Sequence, residues 1–120
     1  MNEFQENILD HYKNPRNFGK PLWSFNSVQE AKNISCGDEI KIYVEKNDSH
    51  INHIAFEGEG CSISIASASI ISEVFINKPV SEILDLSDDE FIKKYIGIEL
   101  TLSRRKCALL AFSALKQSLL

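Results

Sequence analysis

The sequence predicts an α+β fold: a three-stranded antiparallel sheet with helices packed on one face. Three observations lead there. A four-residue apolar period opens the chain. Alternating segments separated by turn residues follow. From Ser62 onward the pattern is helical, with small residues and a capping box.

Phe4, Ile8 and Tyr12 form one face of a short first helix. Asn14-Pro15 ends it, because the residue before proline avoids the helical region. Asn14 to Pro21 is a loop, and Trp23 to Ala31 alternates as a first strand. Ile34 to Asp38 is a turn, in which Gly37 is free to take a positive φ. Ile40, Ile42 and Val44 alternate in a second strand, and Ile51 to Phe56 is a third. With Asn47-Asp48-Ser49 as the turn, these two make a hairpin. Gly58-Glu59-Gly60 breaks the third strand.

Ser62 to Ile76 then reads as a helix, whose Ser62, Ser64, Ser67 and Ser69 suit close helix packing. Pro79-Val80-Ser81 starts a short element. The Ser87-x-x-Glu90 capping box starts a helix near Asp88, and Gly97 ends it. The same box and the helix dipole account for the acidic run Asp88-Asp89-Glu90. The last helix runs from Arg104 to Leu119, with Ala108, Phe112, Leu115 and Leu119 as its core face.

The 120 residues are expected to form a single domain, residues 1–120. The net charge of −4 argues against binding a phosphate backbone, so no nucleic-acid partner is expected. No apolar run approaches the roughly 20 residues needed to span a bilayer, so no membrane partner is expected either. The polar, acidic start Met1-Asn2-Glu3-Phe4 does not read as a secretory signal, which makes the cytoplasm the expected compartment. There, an odd count of three cysteines points to reduced, chemically active thiols rather than disulfides.

Each cysteine has its own local signature: Cys36-Gly37-Asp38, Gly58-Glu59-Gly60-Cys61 and Arg104-Arg105-Lys106-Cys107. Three thiolates and one carboxylate would fill a tetrahedral site, with Asp38 as the fourth ligand. Thiolates select zinc, copper(I) or iron–sulfur chemistry. The cysteines are 25 and 46 residues apart, so a shared site must be built by the fold. Cys61 opens a helix, and Cys107 is expected in the first turn of another behind a basic run; both settings favour a thiolate. Gly37, Gly58 and Gly60 would leave room beside the sulfurs. Against this, a single cysteine often serves as a small buried hydrophobe.

The histidines do not extend the set. His50 and His53, three apart on a strand, face opposite sides and cannot share a metal. His11 reads as a surface or helix-capping residue. Arg16 is either a partner contact or a solvated loop arginine.

These motifs resemble the IscU/SufU/NifU-N family of iron–sulfur cluster assembly scaffolds and sulfur acceptors. The likeness runs from Ile8-Leu9-Asp10-His11-Tyr12-Lys13-Asn14-Pro15-Arg16-Asn17 through Cys36-Gly37-Asp38 and Gly58-Glu59-Gly60-Cys61-Ser62-Ile63-Ser64 to Lys106-Cys107-Ala108-Leu109-Leu110-Ala111. It implies an IscU-like α+β fold with Cys36, Asp38, Cys61 and Cys107 as ligands. It implies a PLP-dependent cysteine desulfurase as sulfur donor and downstream Fe–S acceptor proteins as recipients. The cofactor it implies is Zn2+ or a [2Fe–2S] cluster.

Two departures bear on the branch. Lys106 stands where the IscU branch has a histidine, and Glu99 to Lys106 lacks that branch's Pro-Pro segment. The second departure argues against docking to a dedicated Hsp70-type chaperone. Both favour a SufU-like zinc-dependent sulfurtransferase, in which Cys36 accepts the persulfide sulfur. In that reading an incoming desulfurase displaces one cysteine from the metal, and the freed thiolate attacks the terminal sulfur. The separation of Cys61 from Cys107 is that of the IscU form. It supports the alternative, a non-enzymatic scaffold with Cys107 as acceptor and Asp38 as labile ligand. A structural zinc protein is the third reading.

Overall fold

The computed structural model describes residues 1–120. Helix α1 (Glu3–Lys13) comes first, followed by strands β1 (Ser27–Asn33), β2 (Asp38–Lys46) and β3 (Ile51–Glu59). The strands form an antiparallel meander in the order β1-β2-β3. Helices α2 (Ser62–Val74), α3 (Val80–Asp85), α4 (Asp88–Phe91) and α5 (Leu102–Leu119) complete the chain. A π-helical turn, Ile92–Ile96, continues α4. The architecture is the expected α+β arrangement, with α2 and α5 against the sheet.

The expected caps are present. Ser87 Oγ accepts the Glu90 N–H at 3.1 Å, and the Glu90 carboxylate accepts the Ser87 N–H at 3.1 Å. Gly97 ends the π turn in the left-handed region at φ 70°, beneath the Phe4 ring.

The alternation of β2 sends Ile40, Ile42 and Val44 into the core. Its other face carries Glu39, Lys41 and Tyr43. Tyr43 is nevertheless buried, because Phe25 packs on its ring at 4.9 Å. This corrects the expected start of the first strand: β1 begins at Ser27, not Trp23. Trp23 stacks on His53 with centroids 5.1 Å apart, so Trp23 and Phe25 roof the outer sheet face instead of extending it. The third strand runs on through Glu57, Gly58 and Glu59 rather than breaking. Gly58 permits this, since a side chain there would run into the Glu39 carbonyl of β2.

The Asn14–Pro21 segment lies along the other edge of β3. Phe18 bridges Phe56; the Gly19 N–H donates to the Phe56 carbonyl at 2.7 Å, and the Phe56 N–H donates to the Asn17 carbonyl at 3.0 Å.

Helix α2 is buried nearly all round, lying between α1, the sheet and α5. Its inward serines are hydrogen-bonded: Ser67 to the Ala108 carbonyl at 2.7 Å, and Ser72 to the Ser69 carbonyl at 2.7 Å. His11 departs from its expected surface position. It is buried against α2, with Nδ1 2.7 Å from Ser69 Oγ and Nε2 3.7 Å from Glu73. Arg16 is tied within the chain, pairing with Asp10 at 2.6 Å while its N–H donates to Ser69 Oγ at 2.9 Å. On the far side of the core, Phe91 and Phe112 stack with centroids 4.3 Å apart and rings 6° from parallel.

Candidate metal centre

Three elements and one turn converge at one end of the sheet. The β1–β2 connection is the turn Ile34–Gly37, in which the Asn33 carbonyl accepts the Cys36 N–H at 3.2 Å and the Gly37 N–H at 2.9 Å. Gly37 takes φ 73° to close it, which leaves Cys36 exposed at the tip and Asp38 at the start of β2. Cys61 is the N-cap residue of α2, and Cys107 faces inward from α5.

The ligand atoms of Cys36, Asp38 and Cys107 all lie within 4.8 Å of one another. The Cys36 and Cys107 sulfurs are 3.8 Å apart, and Cys61 Sγ is 3.8 Å from Asp38 Oδ2. Two sulfurs bound tetrahedrally to one zinc at roughly 2.3 Å lie about 3.8 Å apart. The donor set and its spacing therefore fit such an ion. Cys61 stands at the margin of the tighter group of three.

Asp38 is almost wholly buried, at 1% exposure, and both its oxygens are engaged. Oδ1 accepts the Cys61 N–H at 3.0 Å, and Oδ2 accepts the Ser64 O–H at 2.6 Å. Burial works to raise its carboxyl. The hydrogen bonds from Ser64, Cys107 and Cys61 outweigh burial and hold it below the usual carboxylate range.

Two expectations need correction here. Helix α5 begins at Leu102, not Arg104, which puts Cys107 in its second turn. It is also buried, so it gains nothing from unpaired helix-start N–H groups. Its thiol is pushed far up rather than down, first by burial, then by the Asp38 carboxylate and the Cys61 and Cys36 sulfurs. The basic run does not offset this. Arg105 pairs with Asp89, while Arg104 and Lys106 are exposed. A bound dication would supply the positive charge that lets such a thiol ionise.

The glycines likewise do less for access than expected. Gly58 belongs to the sheet. Gly60 makes room for Asp38, because a Cβ there would lie 2.8 Å from Oδ1. Access comes instead from a recess of about 170 Å³ lined by Cys36, Cys61, Ile63, Ser103, Arg104 and Cys107. His50 and His53 are exposed and do not join this group: His50 precedes β3 and bridges Pro79, and His53 stacks on Trp23.

Sequence reasoning missed Ser64, which it read as a packing residue. Its signal was its place one turn after Cys61 at a helix start, where a hydroxyl faces the same end as the cap.

The profile of the NifU-like N-terminal domain matches residues 3–120. The chain belongs to that family. This NifU-like chain is 33% identical over 130 residues to the zinc-dependent sulfurtransferase SufU of Bacillus subtilis, covering 95% of the chain and 87% of SufU. It is 37% identical over 131 residues to the iron–sulfur cluster assembly scaffold protein IscU of Thermotoga maritima, covering 97% and 92%. Among solved structures, the NifU-like fold superposes with a TM-score of 0.82 and 29% identity on a candidate iron–sulfur cluster assembly scaffold for the SUF system of Fervidobacterium islandicum. That match covers 100% of this chain and 96% of the other.

Proposed function

We propose that this chain serves iron–sulfur cluster biogenesis by accepting persulfide sulfur from a PLP-dependent cysteine desulfurase at a zinc centre. Cys36, Asp38, Cys61 and Cys107 would hold the zinc. The observation that carries the reading is the convergence of Cys36, Asp38 and Cys107 within 4.8 Å of one another, with Cys61 Sγ at their margin 3.8 Å from Asp38 Oδ2. Likeness to a named zinc-dependent sulfurtransferase supports it.

The bound zinc would supply Lewis acidity that keeps thiols ionised near neutral pH. The chain's own residues divide the remaining work. Cys36 and Cys61 are both exposed and both line the recess, and Cys36 alone stands at the tip of a turn, so we assign it the incoming persulfide. Its thiolate attacks the terminal sulfur of the donor persulfide. The donor cysteine leaves as a thiolate, and Cys36 becomes the persulfide. Cys107 and Asp38, both buried, hold the floor of the site. Arg104 on the rim offers positive charge to an approaching anionic sulfur. Downstream Fe–S acceptor proteins would then receive the product. The cytoplasm is the compartment that suits reduced thiols.

A second reading has its own support, the likeness to a named IscU scaffold. Here a [2Fe–2S] cluster is the cargo, Cys107 receives the sulfur, and Asp38 is the ligand that lets go. Asp38 has somewhere to go, since the Ser64 hydroxyl and the Cys61 N–H already bind its oxygens.

The test is elemental analysis of anaerobically purified protein, followed by desulfurase assays with Cys36→Ala. Zinc near one equivalent without acid-labile sulfide, and loss of desulfurase stimulation in the variant, support the sulfur-acceptor reading. Iron and sulfide in matching amounts overturn it in favour of the scaffold.

A further inference from the structure

The Ser64 hydroxyl touches three parts of the candidate centre. It donates to Asp38 Oδ2 at 2.6 Å, lies 3.5 Å from Cys61 Sγ, and is 3.4 Å from the Cys107 carbonyl. It is fully buried, so its hydroxyl hydrogen has no water to choose instead. It therefore joins β2, the start of α2 and the second turn of α5 around one oxygen atom. Asp38 is the group that depends on it most. The carboxylate sits at the strand start with one oxygen on the Cys61 N–H, and the bond to Ser64 fixes the rotation that presents the other toward the sulfurs.

We infer that Ser64 is a positioning residue for the metal centre, acting through Asp38. The inference rests on the zinc-site reading above. Buried carboxylate ligands are commonly held by such outer hydrogen bonds, and removing one typically weakens metal binding by roughly 10–100-fold.

A neighbouring serine provides the control. Ser67 is on the same helix, equally buried, and donates to the Ala108 carbonyl at 2.7 Å without touching any of the four donors. Removing either hydroxyl costs a buried hydrogen bond, so a merely structural role would make the two variants alike.

The experiment measures zinc affinity by competition with a chromophoric chelator in Ser64→Ala, Ser67→Ala, Asp38→Ala and the Ser64→Ala/Asp38→Ala double variant. Thermal melts are run on each. Ser64→Ala is expected to bind zinc about 10-fold more weakly, Ser67→Ala to bind as wild type, and Ser64→Ala to add nothing once Asp38 is gone. Equal losses in the two serine variants, or an undiminished Ser64 effect without Asp38, would overturn the inference.

A metal-independent arm follows hydrogen exchange at the Cys61 amide in zinc-free protein. Exchange should quicken in Ser64→Ala and not in Ser67→Ala, because Asp38 loses its anchor and releases that N–H. If wild type binds no zinc, the metal reading fails and the exchange arm alone decides the positioning role. Unchanged exchange in Ser64→Ala would overturn it.

Discussion

Gly60 and Asp38 occupy complementary space: a side chain on the one would stand where the carboxylate of the other lies, 2.8 Å from Oδ1. The Asp38 carboxylate thus serves as the N-terminal cap of α2 from a different element. Cys61, the cap residue itself, makes no side-chain cap bond.

Gly60→Ala should therefore displace Asp38. The remote cap would be lost, at about 1 kcal/mol of stability. Zinc binding would weaken in the same variant. Denaturant melts and zinc stoichiometry check both, and a wild-type zinc titration in Gly60→Ala would refute the link between the two residues.

Zinc should stabilise the folded chain, since its donors meet only when β2, α2 and α5 are assembled. At 100 times its dissociation constant the gain is about 2.7 kcal/mol. Differential scanning calorimetry with zinc and then with a chelator reads this directly. The shift should shrink in Cys107→Ala and in Asp38→Ala.

Cys36 and Cys107 should respond differently to replacement. Cys36→Ala leaves the zinc-free melting point unchanged within error, because the side chain is exposed at a turn tip. Cys107→Ala lowers it by about 1 kcal/mol equivalent, because the side chain is buried and its packing contacts are lost. Equal effects would contradict the placement of the two thiols.

The buried His11 sets a pH dependence. Burial, reinforced by the Arg16 charge, lowers its pKa below the ordinary value of 6.5, against the opposing pull of Glu73 and Asp10. The unfolded chain then binds the proton more readily than the folded one. Stability is fully present above about pH 6.5 and falls as pH drops from there toward the folded-state pKa. Urea midpoints between pH 7.5 and 5 should show this slope, and His11→Gln should flatten it.

Phe112→Ala removes one ring of the Phe91–Phe112 stack from the core beneath α5. It should cost about 3–5 kcal/mol in chemical denaturation, the largest loss among these variants.

Much of this was legible in advance where local chemistry decides local structure. The Ser87/Glu90 box, the Gly97 stop, the β2 alternation and the core face of α5 depend on neighbours within a turn or a strand pair. The misreadings share a different cause. Trp23 and Phe25 have strand-like character, yet their rings find Tyr43 and His53 across the outer sheet face, a contact no local pattern announces. His11 looked like a surface residue because its partner, Ser69, is 58 positions away. Cys107 looked electropositive because its basic neighbours are adjacent in sequence, while its actual surroundings are Asp38 and two sulfurs from other elements. Ser64 was hidden for the same reason.

The strip from Asn17 to Gly19 has a consequence for the behaviour of the chain in crowded solution. An outermost strand normally offers a row of free amides and carbonyls on which a second molecule can lay its own backbone. Both backbone groups of Phe56 are already taken, and Phe18 stands edge-on against its ring at 5.2 Å. The middle of that border is closed to templated pairing, so intermolecular sheet growth from it would first have to peel away the loop behind α1.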